Sequence, residues 1–164
     1  MARGYWLLKT DAQVFSFDDL WRSPRRSTTW DGIRNYQARN LLRDSVQVGD
    51  AVLVYHSSSD PTGIAGLGEV ASAPFPDPTQ FDPRDEHHDP RSTREAPIWY
   101  AISVRATRKL ERVLTLAELR ASPALAGLGV LRRGNRLSIQ PVTLAEWRAI
   151  LALAGPEPPQ GRLH

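Results

Sequence analysis

One stretch of the chain is too rich in proline to form a regular helix or strand. Between Ala73 and Pro97 lie six of the 13 prolines, interspersed with Asp, Arg and His residues. Proline fixes φ and removes a backbone donor, so neither a helix nor a central strand can run through this stretch. A loop of this length inside a compact domain is usually either functional or disordered. The stretch therefore separates two groups of strand-like and helix-like segments.

Both groups mix strand patterns with short helix patterns. The predicted strands are Tyr5 to Lys9, Ala51 to Tyr55 and Gly63 to Val70, joined as a hairpin, the alternating segment Trp99 to Leu110, and a final short strand within Arg136 to Val142. The predicted helices begin at Ser16 and end at Ser23, cover Tyr36 to Arg43, and follow the Thr-x-x-Glu capping boxes at Thr115 and Thr143. The pattern predicts one α+β domain, residues 1–155, on a mostly antiparallel sheet that curls toward a barrel. Residues 156–164 are expected to form a flexible tail.

Composition excludes several classes of protein. The longest apolar runs are far shorter than the roughly 20 residues that cross a bilayer, so no membrane association is expected. With no cysteine, the chain has no disulfide, no thiolate zinc site and no cysteine nucleophile. The N-terminus lacks the apolar segment of a signal peptide. We therefore expect a cytoplasmic protein.

The charge distribution is uneven. Lys and Arg number 21 against 18 Asp and Glu, a formal charge of only +3. The segments 20–43 and 105–136, however, carry net charges of +5 and +6, so the rest of the chain is acidic. Two basic segments in such a chain favour a surface that faces a polyanion, provided the fold brings them together.

Motifs for catalysis or metal binding are weak. The glycines of Gly63 to Gly68 interrupt a strand rather than open a helix, so they favour a bulge or a close approach of another group over a phosphate cradle. Asp85-Glu86-His87-His88-Asp89 contains metal-ligand side chains but no second group at helical spacing, which favours a solvated loop. No serine lies in a nucleophile elbow. We predict no catalytic residue, no metal and no cofactor.

The segment Trp30 to Asn40 is unusually polar and aromatic and allows two interpretations. In the first, Trp30 offers a stacking face, Asn35 reads a base edge, and Arg34 and Arg39 hold phosphate. In the second, Trp30 is a core residue and Asn35 caps the following helix. Composition alone does not decide between them.

Five blocks of the sequence, in the same order, resemble the EVE domain family: Tyr5 to Thr10, Trp30 to Asn40, Tyr55 to Ser57, Gly63 to Gly66, and Arg136 to Pro141. The resemblance covers roughly residues 2–153. It implies a PUA-like fold, a curled β-barrel surrounded by short helices and related to the YTH readers of methylated adenine. It also implies a non-enzymatic role, in which a modified base of DNA or RNA binds in a pocket with aromatic walls.

The resemblance also implies where the base-binding residues lie. Trp30 would be a stacking wall, with Asn35, Lys9 and Thr10 near the base edge and Arg34 beside them. Tyr55, His56 and Ser57 would form the rim, Trp99 a second wall and Phe81 a lid, although Trp99 could equally be a core residue.

The basic segments would contact the nucleic-acid backbone, and the arginines assigned to this role are Arg25, Arg26, Arg39, Arg132, Arg133 and Arg136. One alternative is a hydrolase of nucleotides or modified bases that uses His56, or the His87-His88 loop with a metal. Another is a module that binds only proteins. The sequence leaves open whether the ligand is DNA or RNA, which modification it carries, and the oligomeric state.

Overall fold

The computed structural model describes residues 3–157, and a seven-stranded curled sheet with four short helices organises them. The predicted tail, 156–164, lies outside the described residues except for its first two. The strands are β1 (Tyr5–Asp11), β2 (Ser27–Trp30), β3 (Ala51–Ser57), β4 (Gly63–Val70), β5 (Phe75–Pro76), β6 (Tyr100–Thr115) and β7 (Ile139–Pro141). The helices are α1 (Phe17–Arg22), α2 (Tyr36–Asp44), α3 (Leu116–Ala121) and α4 (Leu144–Ala154).

The strand order is β2-β6-β4-β3-β1-β7, with β5 added to β6. β1 and β3 are parallel, whereas the other pairings are antiparallel, so the predicted sheet and the β3–β4 hairpin are confirmed. β6 continues five residues beyond the predicted strand. β2, whose sequence Ser-Thr-Thr-Trp carries little apolar signal, was not predicted.

Helix ends follow the capping signals. α1, α3 and α4 each begin with a capping box, formed by Ser16 with Asp19, Thr115 with Glu118, and Thr143 with Glu146. Each box satisfies two backbone groups that the first helical turn leaves unpaired. The predicted starts of these helices are therefore confirmed, and α4 ends at Gly155, whose backbone N–H donates to the carbonyl of Leu151.

The sheet separates two apolar cores. Along β3, Val52 and Val54 face one core, and Leu53 and Tyr55 face the other, because successive side chains of a strand point to opposite faces. The first core contains Trp30 and residues of α1 and α2. The second contains residues of α3 and α4. This division decides which side chains can reach one site.

The glycines of β4 serve close packing. The pairing of β4 with β6 shifts register near Gly66 and Gly68, so the predicted bulges are present. A Cβ at Gly66 would fall on the ring of Phe17. Gly66 therefore lets α1 pack directly onto the sheet.

The proline-rich segment is an ordered loop around one buried side chain. Gln80 is fully buried, and its Nε2 donates to the carbonyls of Asp77 (2.8 Å) and Trp99 (2.7 Å). Its Oε1 accepts from Ser92 Oγ (2.7 Å) and from the backbone N–H of Trp99 (2.9 Å). These bonds hold the loop against the start of β6. They satisfy backbone groups that a buried loop would otherwise leave unpaired.

Candidate functional site

A cavity of about 590 Å³ opens between the two edges of the curled sheet. One side comes from the end of β1 and the turn after it, and the other from β2 and the residues that follow. Its lining consists of Lys9, Thr10, Asp11, Val14, Phe15, Thr28, Thr29, Trp30, Asp31, Gly32, Ile33, Glu86, His87 and Ser138. The cavity thus depends on the curl of the sheet, since β1 and β2 are not neighbours in the strand order.

Trp30 closes one side of this cavity. Its side chain lies in the first core with 7% of the residue exposed, and it also borders the cavity. Phe15, from the opposite edge, packs edge to face against the indole with ring centroids 6.3 Å apart. The two interpretations of Trp30 are therefore compatible, because the indole is a core residue that presents a limited part of its surface to the cavity.

Lys9 and Thr10 both line the cavity, and their position near a base edge stays a prediction. Lys9 Nζ donates to the carbonyl of Asn135 at 3.1 Å, and burial lowers the pKa of Lys9. Thr10 Oγ1 donates to the carbonyl of Phe15 at 2.6 Å, which fixes the turn after β1. An ammonium has three donors, so Lys9 can still donate to a ligand.

Arg34 and Asn35 are not brought to the cavity. The guanidinium of Arg34 donates to Asp77 Oδ2 (3.0 Å), Thr79 Oγ1 (3.0 Å) and the carbonyl of His87 (2.8 Å from Nη2). Asn35 Oδ1 accepts from the backbone N–H of Ala38 and caps α2. Neither residue lines the cavity, because the fold uses both to hold local structure, and a contact of either with a base stays a prediction.

Asp77 explains why Arg34 is held. Its carboxylate is fully buried, which opposes ionisation, but hydrogen bonds from Thr79, the backbone N–H of Gly32 and Arg34 outweigh the burial and lower the pKa of Asp77. Buried charges need such partners. The Arg34–Asp77 pair thereby anchors the proline-rich loop to the segment after β2.

Tyr55, His56 and Ser57 are not among the residues that line the cavity. Tyr55 points into the second core, on the far face of the sheet from Trp30. His56 Nε2 accepts from the backbone N–H of Phe17 at 2.9 Å, and Ser57 Oγ donates to the carbonyl of Thr10 at 3.3 Å. These contacts position α1 and the end of β1, and the role of the three residues at a rim stays a prediction.

Trp99 and Phe81 also lie outside the lining. Trp99 is buried, its Nε1 donates to Asp89 Oδ2 at 2.8 Å, and its ring packs against Tyr36. The guanidinium carbon of Arg94 lies 4.8 Å from the Phe81 ring centroid. The structure thus places Trp99 in the core and Phe81 outside the lining, and their roles as a second wall and a lid stay predictions.

The predicted backbone arginines fall into two groups. Arg25, Arg26, Arg132, Arg133 and Arg136 are exposed, whereas Arg39 Nη1 donates to the carbonyl of Ile98 at 2.9 Å and supports the loop. Arg25 and Arg26 directly precede β2.

The other three arginines, Arg132, Arg133 and Arg136, lie in the loop that leads to Ser138 and whose Asn135 carbonyl binds Lys9. Parts of both basic segments therefore connect directly to lining strands on opposite sides of the cavity.

Several lining residues were not predicted. Asp31 directly follows Trp30 within the segment Trp30 to Asn40, and this position beside a predicted stacking residue is the sequence signal that points to it. Asp31 is exposed overall, but partial desolvation of its carboxylate inside the cavity raises its pKa, as do the carboxylates of Asp77 and Asp85, while His87 acts in the opposite direction.

Glu86 and His87 come from the loop Asp85 to Asp89, whose side chains are of types that bind metal ions. Within residues 3–157, no group of three or more His, Asp or Glu side chains is arranged to hold a metal ion. His87 Nδ1 instead lies 3.2 Å from Asp85 Oδ1.

Among the helices of residues 3–157, none is long and apolar enough to span a membrane.

Comparison with known proteins identifies the family. The EVE domain model matches residues 4–153. Human thymocyte nuclear protein 1 is 38% identical over 170 residues, covering 94% of this chain and 75% of its own length. A crystal structure of protein PSPTO5229 from Pseudomonas syringae is 42% identical, with a TM-score of 0.86, over 92% of this chain and 99% of that one.

A second solved structure, of human THYN1 in complex with 5-methylcytosine-containing DNA, is 37% identical with a TM-score of 0.85. It covers 94% of this chain and 99% of its own. The curled mixed half-barrel with a few short helices is the expected PUA-like fold. The chain belongs to the EVE domain family.

Proposed function

We propose that this protein binds a modified nucleobase of DNA or RNA in the cavity beside Trp30 and catalyses no reaction on it. The observation that carries the proposal is the cavity itself, which is bounded by an indole and whose lining segments on both sides are preceded along the chain by exposed arginines. The complex of the related human protein with 5-methylcytosine-containing DNA supports a ligand of this class.

The base would enter the cavity and stack on the part of Trp30 that faces it. Stacking of a base on an aromatic side chain contributes about 1 to 3 kcal/mol. A base in a duplex must first leave the helix, which costs a few kcal/mol of unstacking and unpairing. Single strands avoid this cost, so we expect them to bind at least as well as duplexes.

Selectivity for the modification would come from the fit of the cavity. A methyl group placed in an apolar pocket is worth about 1 to 3 kcal/mol, which corresponds to roughly ten- to 200-fold discrimination. Phe15, Val14 and Ile33 provide apolar lining for such a group. The arginines that flank the cavity would bind phosphates on either side without regard to sequence.

Fluorescence anisotropy with labelled oligonucleotides tests the proposal. The panel pairs 5-methylcytosine with cytosine and N6-methyladenine with adenine, in single- and double-stranded form. We expect at least one modified strand to bind about tenfold or more tightly than its plain counterpart. Equal binding throughout the panel would overturn the proposal, and product formation from nucleosides, with or without a chelator, would favour a hydrolase instead.

Two matched variants connect the preference to the cavity. Trp30→Phe and Trp30→Leu both remove the indole and leave an apolar side chain in the core, but only Phe keeps an aromatic face. We expect Trp30→Phe to retain part of the preference and Trp30→Leu to lose it. Thermal unfolding shows whether the two variants are equally folded, and equal preference in two folded variants would exclude stacking at this position.

A further inference from the structure

Asp31 is an exposed residue of the cavity lining, and the hydrogen bond to its carboxylate comes from its own backbone N–H. Among residues 3–157 its carboxylate accepts no hydrogen bond from another residue and forms no ion pair. The other carboxylates of the lining differ. Asp11 Oδ1 accepts from the backbone N–H of Gln13 at 2.9 Å, and Glu86 Oε1 lies 3.8 Å from His87 Nε2. Asp31 is therefore the carboxylate of the lining that has no partner on another described residue, and it directly follows Trp30.

The charges around Asp31 give the cavity a polarity. Asp77 and Asp85 lie close enough to disfavour its ionisation, and His87 partly offsets them. The cavity also contains Lys9, which comes from β1 at the opposite side of the opening and retains free donors. A ligand between the two sides would meet an acceptor at Asp31 and a donor at Lys9.

Resting on the proposed function, we infer that Asp31 makes the cavity selective for bases with an exocyclic amino group in place of a carbonyl, that is, cytosine and adenine derivatives over thymine and uracil. The cytosine N4 amino group donates hydrogen bonds, whereas thymine presents the O4 acceptor at the same position. The Asp31 carboxylate can accept a hydrogen bond from the N4 amino group of cytosine. It cannot form a hydrogen bond with the O4 oxygen of thymine, because both groups are acceptors, and both then stay unpaired after losing water.

The matched ligands are 5-methylcytosine and thymine in otherwise identical single strands. Both carry a methyl group at C5, so a cavity that reads only the methyl group and ring shape would bind them equally. A carboxylate that accepts from N4 discriminates by about tenfold or more. We expect the wild-type protein to prefer 5-methylcytosine by that factor.

Three variants assign the preference to one side chain. Asp31→Asn replaces one acceptor oxygen with an amide that can donate to O4, so we expect the preference to vanish or reverse. Asp31→Ala removes the acceptor without adding a donor, so the preference should vanish without any gain for thymine. Glu111→Gln removes the same charge at an exposed position of β6 outside the lining, and we expect wild-type ratios.

The outcomes separate this inference from the proposed function. If the wild-type protein prefers 5-methylcytosine to cytosine but binds thymine equally well, or if a folded Asp31→Asn protein keeps the wild-type ratio, the assignment of Asp31 is overturned and the base-binding function stands. If the wild-type protein discriminates none of the modified strands, the proposed function fails and this inference fails with it.

Discussion

Phe15 and Trp30 meet edge to face, with ring planes at 86° and centroids 6.3 Å apart. Phe15 follows β1 and Trp30 ends β2, so this contact joins parts of the chain attached to distant strands of the sheet. Both rings line the cavity. The contact therefore holds the cavity walls together while it forms part of them.

A double-mutant cycle measures this contact. Phe15→Leu and Trp30→Leu each keep an apolar side chain but remove one ring. Edge-to-face pairs contribute about 0.5 to 1.5 kcal/mol beyond buried area, so we expect a coupling energy of that size in the free energy of unfolding from urea titrations. A coupling energy of zero would show that the rings contribute only through their separate burial.

The arginines beside the cavity are expected to control affinity but not selectivity. Arg132→Gln with Arg133→Gln should weaken binding of modified and plain strands by the same factor. On single strands, the slope of log K against log salt should become shallower by about 0.7 for each phosphate that the variant no longer neutralises. Anisotropy titrations at several salt concentrations measure both quantities.

The matched control for this charge change is Arg120→Gln with Arg148→Gln, on the helices that cover the other face of the sheet. We expect its binding and salt dependence to equal those of the wild type. An equal effect of both double variants would indicate general charge attraction instead of a localised interface.

Arg34 is expected to matter for stability through Asp77. Arg34→Ala leaves the fully buried Asp77 carboxylate without its ion-pair partner, and uncompensated buried charge costs about 3 kcal/mol or more of unfolding free energy. Arg34→Lys should lie between wild type and Arg34→Ala, because an ammonium cannot reproduce the several bonds of the guanidinium fork. Urea denaturation compares these variants, and Arg84→Ala, at an exposed ion pair, should show no measurable change.

Because of His56, we expect the free energy of unfolding to fall in mild acid. Burial lowers the pKa of His56 in the folded state, outweighing the opposite effect of Asp18, and its Nε2 accepts the Phe17 N–H only when it is unprotonated. The unfolded chain thus binds a proton more readily. The stabilisation is complete above the unfolded pKa of about 6.5 and is lost as the pH falls from there through the folded pKa.

The measurement is the free energy of unfolding between pH 7.5 and 5. We expect it to fall with pH in the wild type, and to fall less in His56→Gln because Gln does not titrate. His88→Gln changes a histidine outside this contact and should keep the wild-type slope. An identical slope in His56→Gln would show that other groups cause the pH dependence.

Local signals in the sequence determined much of the fold. The capping boxes at Ser16, Thr115 and Thr143 fixed three helix starts because the bonds that make them span only three residues. The apolar run of β3 and the alternation of β6 identified strands in the same way. β2 was not predicted because its four residues form a strand only by pairing with β6, which is distant in sequence.

For the site, too, the sequence indicated some of the residues and only the tertiary structure decided the others. The order of five sequence blocks indicated the family and drew attention to Lys9, Thr10 and Trp30, which the structure brings together around one cavity. Which neighbours share that cavity depended on facts that no local pattern contains. Tyr55 lies on the opposite face of the sheet, and the buried carboxylate of Asp77 engages Arg34.

The sequence by itself thus determined the elements, their caps and the family, because these depend on contacts between residues close along the chain or on the order of motifs. Only the tertiary structure decided the cavity, because it forms where the curled sheet brings the end of β1 to the edge strand β2. The place of Asp31 in the cavity lining has the same cause, because Asp31 directly follows β2. A side chain faces a ligand only after distant strands have closed around the space that the ligand would fill.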